Sequence, residues 1–421
     1  VVSKRGKMKN AIIFLLIIII VGSMMPAQSS SQEFHTISGE VRDARSRQTI
    51  AFASVYIPGT SIGTVANLDG VFSLKIQKSL GVSHFSISHL GYQTASFEVE
   101  ANVGGQKVFF LEPHSVVLPT VVVRPEDPRE LVKNAIDKIP ENYPEVGQRL
   151  TGFYREAIKQ RRDYVSISEA VVDVDQTSYG FRMARDRVKI IQARRSGDVK
   201  RMDTLIVKLQ GGPHVSMLLD VVKNPDVILD KEYLQHYEYE LTDVVVIDGR
   251  SNYVVDFKPL SVLPFPLYYG RLYIDVESLA FTIAEFSLDL SDRGKAARNF
   301  IVRKPLSLRF AATRTSYLVT YKEIKGKYYL NYVRNEMEFF ADWRRRIFRT
   351  AYTIMSEMAI TDRIPDTPDR IARSETFRPG NILSDMVPQY FDPAFWGGYN
   401  VIEPEESIES AIQKFNKRFE E

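Results

Sequence analysis

The sequence predicts a mainly β protein, with a small N-terminal β-sandwich followed by a larger antiparallel meander and a few helices. Three observations carry this. Period-2 alternation of apolar and polar residues recurs from Ile37 to about Ile360. Hairpin turn signals, IDGR at 247–250 and the weaker IKGK at 324–327, join long alternating runs. Apolar residues at helical spacing occupy only short stretches, around 131–139, 211–232 and 408–415.

At the N-terminus, Lys4, Arg5, Lys7 and Lys9 precede a continuous apolar run from Ala11 to Val21, then Gly22, Ser23, Pro26 and Ala27. This order predicts a secretory signal peptide over 1–27, cleaved after Ala27. The run is shorter than the roughly 20 residues a membrane-crossing helix needs, and no second one follows. The expected mature chain is therefore soluble and has no transmembrane segment. The formal charge of +3 includes the four basic leader residues, so the chain without them carries −1, which gives no argument for nucleic acid. The absence of cysteine excludes disulfides, thiolate zinc sites and a thiol nucleophile. An exported chain of this kind must be held by its core.

The sandwich is expected over 36–112. Val55 and Ile57, Phe72, Leu74 and Ile76, and Phe85 and Ile87 each alternate with polar neighbours, which places one face of each strand in a core. Between two of these strands stands NLDG, 67–70. Read as an EF-hand loop with Gly70 sixth, its ligand positions would fall on Val65, Asn67, Asp69 and Ile76, two of them apolar. The stretch is predicted to be a tight turn, with Asp69 bonding nearby backbone and Gly70 at positive φ.

The run ISGEVRDARSRQTIAFASVYIPGTSIGTVANLDGVFSLKI, followed by FSISHLGYQT, resembles the carboxypeptidase regulatory-like domain. Gly39, Asp43, Gly59, Asp69, Gly70, Gly91 and Tyr92 carry the likeness. It implies an immunoglobulin-like or prealbumin-like sandwich of a kind common in exported Bacteroidetes proteins. The module is not itself catalytic.

Four prolines mark 113–128 as a linker, with Val121 to Val123 able to form one edge strand. A helix then starts with Asp127 as N-cap and Pro128 at its first position, carrying Leu131, Ala135, Ile136 and Ile139 on one stripe; Pro140 and Pro144 are expected to end it. The antiparallel β-rich domain is expected over 129–362. Val215, Leu218, Leu219 and Val222 predict a further helix between Gly211 and Glu232. GFYRE (152–156), SEAVVDV (168–174) and FDPAFWGGYNVIEPEE resemble a Bacteroidetes envelope family in which the regulatory-like domain precedes an uncharacterised β-rich domain. YVVDFKP and YYGRLYIDVESLAFTIAEFSL resemble the central hairpins of periplasmic lipoprotein carriers, which implies an open half-barrel with an apolar concavity. The tail, 363–421, reads as irregular and ends in an amphipathic helix with Ile408, Ala411, Ile412 and Phe415 on one face.

Motifs for chemistry are missing. The third residue after each histidine is never glutamate, and no zincin, nucleophile-elbow, P-loop or dinucleotide motif occurs. His214 and Ser216 are close in sequence, yet triad partners are set by tertiary geometry, and a loop entering a helix is the plainer reading. Asp173 and Asp175 share a strand face and are read as exposed strand-end charges rather than paired catalytic carboxylates or a cation site. No catalytic residue, metal ligand or cofactor is expected. The basic run with Arg344, Arg345, Arg346 and Arg349 is a candidate contact for anionic lipid or lipopolysaccharide phosphates. Phe265, Tyr268 and Tyr269, in the proline-rich segment 259–273, are candidate ligand-binding residues at a groove rim.

The expectation is a non-catalytic binding or scaffold protein of the cell envelope, periplasmic or outer-membrane-associated. Its partners would be an envelope protein, lipid or lipopolysaccharide. Two alternatives stand beside it: a periplasmic carrier of a lipid or other apolar ligand, which needs an open apolar concavity, and a hydrolase whose site shows only in three dimensions.

Overall fold

The structure is a computed structural model and describes residues 33–99, 107–114, 127–161, 163–180, 185–195, 211–292, 308–343, 349–365, 370–391 and 398–405. The expected leader, the strand at 121–123, Arg344 to Arg346 and the 408–415 stripe lie outside the described residues.

The N-terminal strands are β1 (Phe34–Asp43), β2 (Ser54–Tyr56), β3 (Gly63–Val65), β4 (Val71–Gln77), β5 (His84–Ser88), β6 (Ala95–Glu98) and β7 (Lys107–Leu111). They form two sheets, ordered β4-β1-β7 and β3-β2-β5-β6. Between them Val41, Val55, Phe72, Leu74, Phe85, Ile87 and Leu111 are completely buried, as the alternation requires. NLDG is a turn, but its anchor is Asn67 rather than Asp69. The Asn67 Oδ1 accepts from the amides of Asp69 (3.0 Å) and Val71 (2.9 Å). Asparagine one place earlier reaches both amides, and burial leaves it no competing water. Gly70 has φ +75°, and a Cβ there would meet the Val41 carbonyl at 2.7 Å.

Helix α1 (Pro128–Asp137) follows, its Asp127 cap accepting from Arg129 N at 2.8 Å. Pro140 does not end this helix; it lies in the first turn of a second short one, α2 (Ile139–Asn142). Ten strands then make a single antiparallel sheet: β8 (Gln148–Gln160), β9 (Asp163–Gln176), β10 (Arg187–Arg195), β11 (Tyr237–Ile247), β12 (Arg250–Pro259), β13 (Tyr268–Asp275), β14 (Phe281–Leu288), β15 (Leu308–Ile324), β16 (Lys327–Trp343) and β17 (Thr350–Pro365). Their order, β10-β9-β8-β17-β16-β15-β14-β13-β12-β11, puts β10 and β11 at opposite ends, so the sheet does not close; the returning segment bonds the β10 edge through Phe377 N to Val188 O at 2.7 Å and Ala193 N to Tyr390 O at 3.1 Å. Both hairpin signals form tight turns. Asp248 and Gly249 have φ of 50° and 78°, and Lys325 and Gly326 have 53° and 83°, the double positive φ that matches strand twist.

One face of this sheet carries the main core. Tyr154, Val172, Val188, Val255, Leu272, Ile274, Ala284 and Val319 point into it. The chain itself covers that face with α1, with residues 211–236 and with 371–390, whose Phe377 and Leu383 are buried there. The helix expected over 211–232 is only α3 (Pro213–Leu218). The Asp220 side chain accepts from Lys223 N, and Asn224 Nδ2 donates to the carbonyls of Met217 and Asp220, so side chains take over the bonds a helix would need before Pro225 stops it. Leu218, assigned to the apolar stripe, is 61% exposed.

The sandwich docks on the opposite, outer face. Phe52 stacks on Tyr332 at 6.0 Å, and Val65 packs with Phe153, Ala359 and Ile402. Leu90 joins Val254, Tyr273 and Ile283. Phe52 holds φ +61°, a strained value for a bulky side chain that its docked ring accompanies. Residues 400–405 thread between the two bodies. Asn400 accepts from Lys75 N at 2.6 Å, and Thr64 Oγ1 donates to Val401 O at 2.9 Å.

Candidate functional site

The proline-rich segment between β12 and β13 is an exposed loop. Pro259, Pro264 and Pro266 lack the N–H groups a strand would need, so the chain leaves the sheet and its apolar side chains meet solvent. Val262 is 90% exposed, and Leu260, Phe265 and Tyr269 are each more than 40% exposed. Beside the loop, the outer face of β11 to β13 forms a pocket of about 580 Å³, lined by Glu238, Glu240, Asp256, Lys258, Tyr269 and Arg271 among others. Its charges are partly matched: Lys258 bonds Glu238 at 2.8 Å and Arg271 bonds Asp256 at 3.0 Å. Gly270 contributes bare backbone to the lining, and a Cβ there would meet the Glu285 carbonyl at 2.0 Å.

The three aromatic candidates are therefore split. Phe265 lies at the surface, edge-on to Tyr233 at 5.6 Å, and Tyr269 lines the pocket. Tyr268, one position along the pleat, turns to the core against Phe286 (5.5 Å) and Tyr317 (6.2 Å), where burial raises its phenol pKa. Of the arginine candidates, Arg349 is described and exposed. Sequence reading missed Glu238, Glu240 and Arg271; their alternation with Tyr237, Tyr239 and Leu272 was the available signal.

The core face holds a second polar group of side chains. Asp220 is fully buried between the sheet and the 211–236 segment. Its carboxylate accepts from Tyr321 (2.8 Å), Tyr179 (2.9 Å) and Gln176 (3.4 Å), while burial pushes its pKa up to about 6. Lys223 bonds Thr177 and pairs with Asp186 at 3.1 Å. Each polar atom here serves to fasten 211–236 over the sheet. Glu156, on the same face, is pushed up to about 8 by burial and accepts from Tyr154 at 3.1 Å.

On the outer face Asp173 and Asp175 are not exposed charges. Asp175 is buried, bonds Arg149 Nε at 2.5 Å and accepts from Ile371 N, while Asp173 accepts from Thr151 at 3.0 Å. The returning segment at 371 supplies the cover that strand position alone did not indicate. His214 Nε2 bonds the Phe377 carbonyl at 2.5 Å, at the start of α3. Lys322 of β15 lies over the Tyr56 ring of the sandwich, and burial lowers its pKa to about 7. Among the described residues no cluster of three or more histidine or acidic side chains has a metal-holding arrangement, and no helix is long and apolar enough to cross a membrane.

The protein is thus a two-body β molecule whose buried polar clusters bind its own segments and in which four exposed apolar side chains, Leu260, Val262, Phe265 and Tyr269, stand in or beside one loop at the β11 to β13 end of the open sheet. Residues 37–123 match the family model of the CarboxypepD_reg-like domain, in agreement with the motif likeness. No curated protein matches. Among solved structures, an outer membrane lipoprotein-sorting protein domain from Vibrio parahaemolyticus is similar at 8% identity and a TM-score of 0.25, over 57% of this chain and 93% of that one. A DUF1329 family protein from Desulfovibrio piger is similar at 10% identity and a TM-score of 0.25, over 58% and 95%. Neither likeness bears on what this chain binds.

Proposed function

We propose that the protein is a non-catalytic binding or scaffold component of the cell envelope, which presents the β11 to β13 end of its large sheet to a macromolecular partner. The observation that supports this is a contrast between the two faces. The face a carrier would leave open is covered by α1, 211–236 and 371–390, whereas Leu260, Val262, Phe265 and Tyr269 stand exposed beside a pocket that no described segment covers. Clustered exposed apolar side chains with a polar rim are what partner surfaces display. The export expected from the N-terminal run supports a role outside the cytoplasm.

A photo-reactive amino acid at position 262, in the full chain expressed in its native envelope, tests the reading. A discrete protein cross-link at 262, missing from an exposed control position such as Lys78, is the expected result. Native mass spectrometry of the detergent-free chain tests the carrier alternative. A stoichiometric lipid mass without any cross-link at 262 would replace the scaffold reading with the carrier one.

A further inference from the structure

β11 ends the ten-stranded sheet, and among the described residues no strand lies on its outer side. Which backbone groups face that side follows from the register. Leu260 N donates to His236 O at 2.8 Å, and Glu238 stands opposite Lys258 with Glu240 opposite Asp256. Bonded and non-bonded pairs alternate in an antiparallel ladder. Glu238 and Glu240 therefore direct their amides and carbonyls to β12, and Tyr237, Tyr239 and Leu241 direct theirs outward. Arg129 confirms this parity, because its Nη2 reaches the Tyr237 carbonyl from α1 at 3.1 Å. The backbone groups of Tyr239 and Leu241 have no partner among the described residues.

The side chains along this edge are acidic. Glu238, Glu240, Thr242 and Asp243 are exposed. Lys258 bonds Glu238 at 2.8 Å and also feels the charge of Glu240, while neither Glu240 nor Asp243 forms a close ion pair among the described residues. On the other face of the same stretch Tyr239 and Leu241 are partly buried apolar side chains packed on the core. A register shift between Leu241 and Asp243 bends the strand and limits the open ladder to a short stretch. A second copy of this chain added edge to edge would set these carboxylates against each other, which is unfavourable.

We propose that the Tyr239–Leu241 edge takes a short extended segment of another protein as an added strand, with basic side chains against Glu240 and Asp243 and the alternate, apolar ones beside Tyr239 and Leu241. Backbone pairing would supply the affinity and the alternating side chains the choice of partner. The inference rests on the binding reading above and names the chemistry of its partner.

The test titrates the full chain with a labelled short peptide alternating lysine and valine, followed by fluorescence anisotropy at physiological salt. Two further peptides carry N-methyl groups on alternate residues, one on each parity, so that only one of them loses the N–H groups that would face β11. The expected result is saturable binding, about tenfold weaker for one methylated parity and nearly unchanged for the other. Glu240→Lys should weaken the basic peptide by about tenfold and favour its glutamate-valine counterpart. Equal behaviour of the two methylated parities, or no saturable binding, would overturn strand addition. So would a dimer in sedimentation that Glu240→Lys abolishes. A cross-link persisting at Val262 in any of these cases would leave the binding reading standing while this inference falls.

Discussion

Arg155 on β8 and Glu169 on β9 stand directly opposite one another and are both buried, with Nε 2.8 Å from Oε1. The same guanidinium reaches Glu357 of β17 at 3.0 Å, and its remaining N–H groups donate to the carbonyls of Ile402 and Glu403. One side chain thus ties three strands to the returning tail that separates the sandwich from the large sheet. Opposing carboxylates keep the guanidinium firmly charged despite its desolvation. Glu169 keeps Arg194 at 2.6 Å and Glu357 keeps Arg334 at 3.2 Å when Arg155 is removed, but each buried carboxylate loses one of its two cations and the Ile402 and Glu403 carbonyls lose their donor. Arg155→Met is expected to lose about 3–5 kcal/mol of stability. Urea denaturation of the purified chain measures this, and a loss below about 1 kcal/mol would contradict the buried role.

Glu156, the next residue, points to the other face and behaves oppositely. Burial pushes its pKa up to about 8 from the ordinary 4.5. The folded chain therefore holds a proton that the unfolded chain releases between those values, and stability falls as pH rises through that window. Glu156→Gln should match the parent near pH 4 and exceed it by pH 8, by on the order of 2 kcal/mol or more. Melting temperatures across the pH range give the comparison, and parallel curves would refute the assignment.

Asp220 fastens 211–236 through Tyr179 and Tyr321. Asp220→Ala leaves two buried hydroxyl groups without their acceptor, at about 1–3 kcal/mol each. Faster amide exchange confined to 211–236 is expected, since that segment contributes few strand contacts of its own. Unchanged protection there would show that apolar packing alone holds it.

Val262→Asp and Phe265→Ser alter exposed positions. Val262→Asp should stay within about 0.5 kcal/mol of the parent, whereas Phe265→Ser gives up the ring contact with Tyr233 and should cost about 1–2 kcal/mol. Cross-linking from a photo-reactive residue at 269 should be lost. Retained cross-linking in both variants would move the partner surface away from this loop.

Much of the local structure is legible in the chain. The pairs Asp248–Gly249 and Lys325–Gly326 encode tight turns through the positive φ they accept, and Asp127 with Pro128 encodes a helix start. Period-2 alternation correctly assigned Tyr253, Val255 and Phe257 to one buried face. It failed where both faces are covered. Val254, Tyr273 and Ile283 are buried too, under the docked sandwich, and nothing in a single strand announces a second covering layer. Around Asp220 the helical spacing predicts a helix that α3 only begins: short turns laid on the sheet bury Met217, Val221 and Val222 while Leu218 of the predicted stripe stays exposed.

By itself the sequence determined the elements, the turns between them and the kind of module at the N-terminus, because these depend on residues close together in the chain. Tertiary structure alone decided that Arg155 meets Glu169, Glu357 and the tail, which of Tyr268 and Tyr269 faces the core, and that β11, among the described residues, ends the sheet with an acidic edge. Those outcomes depend on which strands become neighbours and which segments return to cover them, and the energies that choose between such arrangements arise from contacts hundreds of residues apart along the chain.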